Sequence, residues 1–479
     1  MNSTSKMPSC SSANEDCDVQ LNDEINSSTS RYLVQDFIGK GAFGKVAKSV
    51  NLTTAKAVAL KIVVAKDKRA SKREIKMLQT IRALDPAGSN VVEFFEAFEH
   101  KGLTCLAFEM LDRDLFQLLM ERQERPLSLN EIRPIAQQLL TAFEALKGIG
   151  VIYADLKPDN IMLVNHETQP FRVKLIDFGL SLQTSEVRTG LLTQAIGYRA
   201  PEVILGLPFT EAIDMWGLGC VLSLLFLSCH LFGIHCEYQQ MRNIVDVLGQ
   251  PDDRLLDAGI FTKKFFSVNR HLDRKWWLKS PMEYKKATGV EPKKCERALN
   301  KLDDIVTLVP DIEECIELED RKAFVSLLSG LLHTDQNQRI TPEKALKHPF
   351  ITMVHLEEEA DSSMYVEESH YKMTLGQSEG LNEDLKFDPE PEEPPTTDNT
   401  SASLHPGPVE PAPPGFCAEC PPSFHKSAVD HHVVEVNLKE TEQPTKEAAA
   451  SDVRKSPLKR MRKFFSRVIR TVFRTRRMS

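Results

Sequence analysis

At 479 residues the chain is too long for one ordinary compact domain, and a 41% hydrophobic, 27% charged composition excludes a fully disordered or fibrous polymer. The formal charge of −8 averages an acidic, proline-rich stretch and a strongly basic C-terminus, so it excludes no class of partner. The 10 cysteines lie far apart, and residues 1–20 lack the basic and apolar regions of a secretory leader, which predicts an intracellular protein with free thiols.

Residues 1–31 are rich in Ser, Asn and Asp, and are expected to be disordered because they offer too little apolar surface to offset the entropy of ordering them. From Tyr32 to Leu111 short β-patterned runs dominate, interrupted by one helical stretch, SKREIKMLQTIRAL. After Leu111 the pattern turns helical, as in LFQLLMERQ and LNEIRPIAQQLLTAFEALKGIG, the second ending on a glycine suited to a C-cap. The apolar run from Trp216 to Ile234 has nearly the length of a membrane span, but Asp214 before it and His230 within it favour a helix buried in a soluble domain. These patterns predict an α+β domain over residues 32–350, with a β-rich lobe at 32–111 and an α-rich lobe at 112–350. An acidic and proline-rich disordered tail is expected over 351–453, and a basic amphipathic end over 454–479.

The chemistry lies in an ordered set of short motifs. Gly39, Gly41, Gly44 and Val46 form a G-x-G-x-x-G-x-V between two strand-like runs, where missing Cβ atoms let backbone close over phosphates. A dinucleotide site shares this spacing, but it opens into a helix, and here a strand follows. Val58-Ala59-Leu60-Lys61 puts an ammonium on the next run, and Glu74 in the helix beyond is the obvious carboxylate to hold it. Taken singly, each is equally an ordinary surface charge. Asp155-Leu156-Lys157-Pro158-Asp159-Asn160 follows a helix as a loop that presents Asp155 to a hydroxyl and Asn160 to a metal. Asp177-Phe178-Gly179 follows another strand, and Ala200-Pro201-Glu202 closes a segment of activation-loop length. Their order and context agree from residue 39 to residue 202, as in two-lobed protein kinases that use Mg²⁺ and ATP.

LTCLAFEML at 103–111, the stretch Ala154 to Pro158, ILGLPFTEAIDMWGLGC, LDRKWWLKSPMEYKKATG and QNQRITPEKALKHPFITM together resemble the homeodomain-interacting protein kinases, over residues 32–353. The resemblance implies a Ser/Thr kinase of the proline-directed supergroup, often nuclear, acting on transcription regulators, here expected to be monomeric. It implies Phe108 as gatekeeper, Glu109 to Leu111 as the adenine-binding hinge, and Glu202 as the partner of Arg339. The expected nucleotide-contacting set is Ile38, Gly39, Lys40, Gly41, Ala42, Phe43, Gly44, Lys45, Val46, Ala59, Lys61, Phe108, Glu109 and Leu111. Asp155 and Lys157 are expected to act on the transferred group, with Lys61 and Glu74, and Asn160 and Asp177 to hold the metal.

Two departures bear on activity. Tyr153 stands where the family keeps a histidine, and a phenol does not reproduce an imidazole's hydrogen bonds, so a lower activity, or a scaffold without efficient transfer, is the alternative. Leu192 occupies the position of the family's autophosphorylated tyrosine. The expectation is therefore an active conformation held by apolar packing around Leu191 and Leu192, without phosphotyrosine.

In the tail, Cys417, Cys420 and His425 lack the spacing of a zinc site, and Val433-Val434-Glu435-Val436 is a short β-prone island suited to adding a strand to a partner's sheet. Lys459, Arg460, Arg462 and Lys463 suit an import receptor or a polyanion. Phe464, Phe465, Val468, Ile469, Val472 and Phe473 form one helical stripe that equally suits a membrane surface, calmodulin or docking on the kinase domain itself.

Overall fold

The structure is a computed structural model that describes residues 19–41, 44–63, 68–123, 125–268, 275–293, 299–307, 315–359 and 363–376. Strands β1 (Glu24–Asn26), β2 (Arg31–Gly41), β3 (Gly44–Asn51) and β4 (Ala57–Val63), helix α1 (Lys68–Ile81), and strands β5 (Phe94–His100) and β6 (Leu103–Glu109) make up the first lobe. The strands form one antiparallel sheet in the order β1-β2-β3-β4-β6-β5. On β4 the residues alternate. Val58, Leu60 and Ile62 enter a small core with Val34, Ala47, Cys105 and Ala107, which turns Ala59 and Lys61 to the other face. Register then sets their neighbours: Ala59 lies opposite Phe108, and Lys61 opposite Val46 and Leu106. Gly44 must be glycine, because a Cβ there would stand 2.0 Å from the Ile62 carbonyl oxygen.

The second lobe begins with α2 (Leu115–Glu121) and α3 (Leu129–Gly148). Capping boxes start both, Asp114 with Gln117 and Ser128 with Glu131, and each cap contributes about 1 kcal/mol by satisfying N–H groups that a helix end leaves free. Two short ladders follow: β7 (Val151–Ile152) with β10 (Leu182–Gln183), and β8 (Ile161–Asn165) with β9 (Gln169–Leu175). Next come α4 (Pro201–Leu205) and α5 (Ala212–Leu227). Residues 213–226 of α5 are all buried, as expected of a helix apolar on every side. It ends at Leu227, short of the apolar run's end, and among the described residues no helix is long and apolar enough to cross a membrane. The lobe continues through α6 (Glu237–Leu248), α7 (Asp253–Ala258), α8 (Thr262–Phe265), β11 (Phe266–Val268), β12 (Trp276–Leu278) and α9 (Pro281–Thr288), and then α10 (Cys315–Leu331), α11 (Pro342–Leu346), α12 (Pro349–Thr352) and α13 (Met364–Leu375).

Ordered structure continues past both ends of the expected domain. Residues 19–31 are ordered: β1 pairs with β2, and Val19 and Ile25 are buried beside Tyr32, so two apolar side chains are enough when a sheet edge is ready to accept a strand. At the other end α13 follows the expected boundary at 350. Val366 and Met373 are buried with Ile316, Met353 and Leu356. Beneath α13, Arg133 and Asp320 form a fully buried ion pair that also takes in Ser369, the Tyr365 hydroxyl and His355. Residues 377–479, with Cys417, Cys420, Val433 to Val436 and the basic cluster, lie outside the described residues.

Candidate active site

The cleft face of the sheet meets the loops of the helical lobe at three charged groups. Lys61 Nζ stands 2.6 Å from Glu74 Oε1 and 3.3 Å from Asp177 Oδ1. Burial opposes the lysine's charge, but the Asp177 and Glu74 carboxylates prevail and hold its pKa above the ordinary value. Asp177 keeps part of its side chain exposed, and desolvation around it opposes its charge, yet Lys61 and the Gly179 N–H draw its pKa below the usual carboxylate range. Burial and the Asp177 charge push Glu74 upward against the pull of Lys61, so Asp177 is the more firmly ionised of the two.

Asp155 is buried in the loop after β7. Its Oδ2 accepts from Lys157 Nζ at 2.9 Å and from Asn160 Nδ2 at 2.8 Å, and Asn160 also donates to the Asp155 carbonyl at 2.9 Å. Both of the Asn160 bonds use its amide nitrogen. The loop is pinned from below by Asp214 in the first turn of α5, which accepts the N–H groups of Tyr153 and Ala154, each at 2.8 Å. Burial raises the Asp214 pKa to about 7 against the lowering effect of those two bonds. Ala154 and Asp177 adopt left-handed φ values of 64° and 55°, conformations that cost a non-glycine residue about 1–2 kcal/mol and persist where surrounding bonds enforce them.

Of the expected nucleotide-contacting residues, Val46, Ala59 and Phe108 share the cleft face with Lys61, and Gly39 lies opposite Val46. Ile38 is exposed beside Gly39. Lys40 and Gly41 end β2, while Ala42 and Phe43 lie outside the described residues. Lys45 departs from the expectation: adjacent to Val46 in a strand, its side chain takes the opposite face, with its ammonium 5.1 Å from the Phe37 ring centroid. The Glu109 carboxylate is bound by Lys174 at 2.7 and 2.9 Å and by the Glu93 N–H at 2.6 Å, and the Leu111 side chain is buried in the core. The Glu109 and Leu111 side chains are therefore both already engaged.

The protein kinase domain family matches residues 32–351. The catalytic region is 42% identical over 359 residues to homeodomain-interacting protein kinase 2 of Mesocricetus auratus, covering 72% of this chain and 31% of that protein. It is 43% identical over 339 residues to homeodomain-interacting protein kinase 1 of Mus musculus (69% and 28%), and 39% identical over 370 residues to homeodomain-interacting protein kinase 4 of Homo sapiens (73% and 60%). The chain belongs to the protein kinases, in their homeodomain-interacting family. It spans less than two thirds of the length of these curated relatives.

Within this kinase fold the two departures resolve differently. Tyr153 is fully buried and donates its hydroxyl to the carbonyl of Ile176, just before Asp177, while its ring packs edge-on against Phe178 with centroids 5.2 Å apart. The phenol thus regains a hydrogen bond that sequence reasoning had denied it. Leu192 does not do what was expected: it is 42% exposed, and only Leu191 packs on the core. Polar ties hold the segment instead. Thr193 Oγ1 bonds the Ala154 carbonyl at 3.3 Å, and the Gln194 side chain joins the Ile213 carbonyl to the Ala200 N–H, each at 2.9 Å. Glu202 and Arg339 meet as the resemblance implied, in a buried two-pronged pair at 2.6 and 2.9 Å. Sequence reading missed Asp214, Lys174 and Gln194 as parts of the site, since each is a lone polar residue whose partner is distant in the chain.

Proposed function

We propose that this chain transfers the γ-phosphoryl group of ATP to serine and threonine hydroxyls of proteins, with a preference for proline after the acceptor. The observation that carries the transfer is the assembled set of Lys61 on Glu74 and Asp177, and Asp155 within reach of Lys157 and Asn160. On this reading Asp155 accepts the proton of the attacking hydroxyl as its oxygen bonds phosphorus. The β–γ bridge oxygen leaves with ADP, Lys61 holds the α- and β-phosphates, and Lys157 steadies the γ-phosphoryl group. The oxygens of Asp177 and Asn160 suit a hard divalent cation such as Mg²⁺. Two protein oxygens leave the rest of such an ion's shell to phosphate and water. Such an ion neutralises charge developing on the phosphates.

The proline preference rests on Gln194. Its φ of 63° turns the carbonyl to Arg199, which donates from Nε at 3.2 Å and Nη2 at 2.9 Å. Thr193 is tied to Ala154, next to Asp155, so this backbone runs beside the position of the acceptor residue. The residue after that acceptor finds the Gln194 carbonyl already taken. A desolvated N–H without a partner costs about 1–3 kcal/mol, and proline has none to lose.

The rival reading, a scaffold without transfer, rests on Tyr153 and the altered activation segment around Leu192; the buried hydrogen bond of Tyr153 speaks for an ordered cleft, while Leu192 leaves that reading its second support. Incubation with labelled ATP, Mg²⁺ and a Ser-Pro peptide decides between them: transfer well above an Asp155→Asn control is expected, and none above it would reject the enzyme. Transcription regulators as substrates, in keeping with the relatives' names, a monomeric state and a nuclear location complete the proposal. For the location, replacing Lys459, Arg460, Arg462 and Lys463 together should move a tagged protein out of the nucleus, and an unchanged distribution rules the cluster out as an import signal.

A further inference from the structure

Arg199 is held at four of its polar groups. Its Nε donates to the Thr193 carbonyl at 2.8 Å, and Nε and Nη2 share the Gln194 carbonyl. Nη1 pairs with Glu237 Oε1 at 2.5 Å, and the Arg199 carbonyl accepts from Gln240 Nε2 at 2.8 Å. Glu237 and Gln240 stand three apart on the first turn of α6, so one helix face clamps both the side chain and the backbone of this arginine. The second Glu237 oxygen is taken by Lys264. A largely buried guanidinium between two carbonyl dipoles needs a negative charge beside it, since an unpaired ion in that position is strongly disfavoured. In this chain the nearby activation-segment position has no hydroxyl to phosphorylate, being Leu192, and a carboxylate of the fold itself supplies the charge.

We propose that Glu237 is a positioning residue for substrate choice: by holding Arg199 on the Gln194 carbonyl it sets the demand for proline after the phosphoacceptor, with no phosphate on the activation segment. The inference rests on the proline preference proposed above and extends it to the group that enforces it. If the carboxylate is removed, Arg199 loses its counter-charge and can turn toward solvent. The Gln194 carbonyl is then free to accept the N–H of a non-proline residue. Discrimination, more than turnover, is what changes. Burial disfavours the Glu237 charge, but Lys264 and Arg199 keep its pKa below the ordinary value, so the clamp stays charged at neutral pH and above.

The test uses the full chain, treated with a phosphatase and checked by mass spectrometry for loss of phosphate between Asp177 and Glu202. Two peptides identical except for Ser-Pro or Ser-Ala are compared by kcat/KM. The untreated and dephosphorylated proteins should favour Ser-Pro by the same factor, about tenfold or more for one unsatisfied N–H. Glu237→Gln should reduce that factor severalfold, mainly by raising kcat/KM on Ser-Ala, and Glu237→Asp should restore part of it. Arg199→Lys, which cannot bridge carboxylate and both carbonyls, should lose discrimination in the same way and serves if the Gln variant does not fold. An unchanged Pro/Ala ratio in a folded variant, with both peptides slowed alike, would reduce Glu237 to a structural support and overturn the proposal. Loss of the preference on dephosphorylation would overturn it as well. A parent protein that phosphorylates both peptides equally would reject the proline reading itself, a separate result from either.

Discussion

The cleft and the back of the helical lobe each set a cation against carboxylates, and they do opposite things with it. At the cleft, Lys61, Glu74 and Asp177 keep 20%, 11% and 42% of their side chains accessible, so phosphate oxygens and a cation can enter and exchange partners with them. Behind it, Arg133 and Asp320 are at 0%. The guanidinium also donates to the Phe350 carbonyl and Ser369, and the carboxylate accepts from Tyr365 and His355. The first arrangement is half-open and reactive. The second is saturated, and its effect is to hold α13 on the lobe. The same pair of residue types therefore gives chemistry or adhesion according to whether a bond is left for a newcomer.

The largest effect should come from the open side. Asp155→Asn removes the proton acceptor while keeping size and the Asn160 contact, so kcat should fall by about 10²–10⁴-fold with little change in melting temperature. A fall of less than about tenfold would show that Asp155 is not the base. On the closed side, Asp320→Asn leaves Arg133 without its counter-charge in a dry site and should cost about 3–5 kcal/mol of stability, read by urea denaturation, with kcat at 25 °C changing less than threefold. The pH dependence has a definite sign. Burial opposes the charge of Asp320, but the bonds from His355, Arg133 and Tyr365 hold its pKa below the ordinary value. Its contribution is present above an unfolded pKa of about 4 and is lost as pH falls further, so the Asn variant should show a flatter acid limb.

Between the two regions lies Tyr153. Tyr153→Phe strands the Ile176 carbonyl and should cost about 1–2 kcal/mol of stability, with less than about a fivefold change in kcat; Tyr153→Ala, which also empties the space beside Phe178, should lower both much more. A Phe variant as impaired as the Ala one would mean that the hydroxyl, not the ring, orders the cleft. The smallest effect belongs to the surface. Lys347 and Glu343 form an exposed pair on α11 and its flank, and Lys347→Ala should leave the melting temperature unchanged.

How much of this was readable in advance depended on how local each signal is. Gly39 to Val46, Lys61, the Asp155 loop and Asp177 were legible because phosphate chemistry requires particular residue types within a few positions of one another. The alternation of β4 already implied that Lys61 and Ala59 share a face. Asp214 was illegible as a brace, since its partners Tyr153 and Ala154 lie 61 and 60 positions away, and Arg133 and Asp320 are separated by 187. Nothing beside a lone charge announces a pairing over such distances. The order flanking the domain was illegible for a related reason: Ile25 is a single apolar residue among polar ones, and Val366 and Met373 sit in an acidic stretch, so composition favoured disorder where a ready surface imposed order. Lys45 was taken with its neighbours as a block, whereas a strand assigns faces one residue at a time.

The bond from Tyr153 to the Ile176 carbonyl also bears on which small molecules this kinase can accommodate. Compounds that bind by evicting Phe178 from its pocket must swing the backbone at Asp177, and here that backbone is tethered at the preceding carbonyl while Phe178 is fully buried against the tethering ring. Phe108, on the same face of the sheet as Lys61 and tilted on Phe94 with centroids 5.5 Å apart, adds bulk to that face. Compounds that leave Phe178 in place leave the Tyr153 bond intact. Those that displace it would have to break a buried hydrogen bond before gaining any contact of their own.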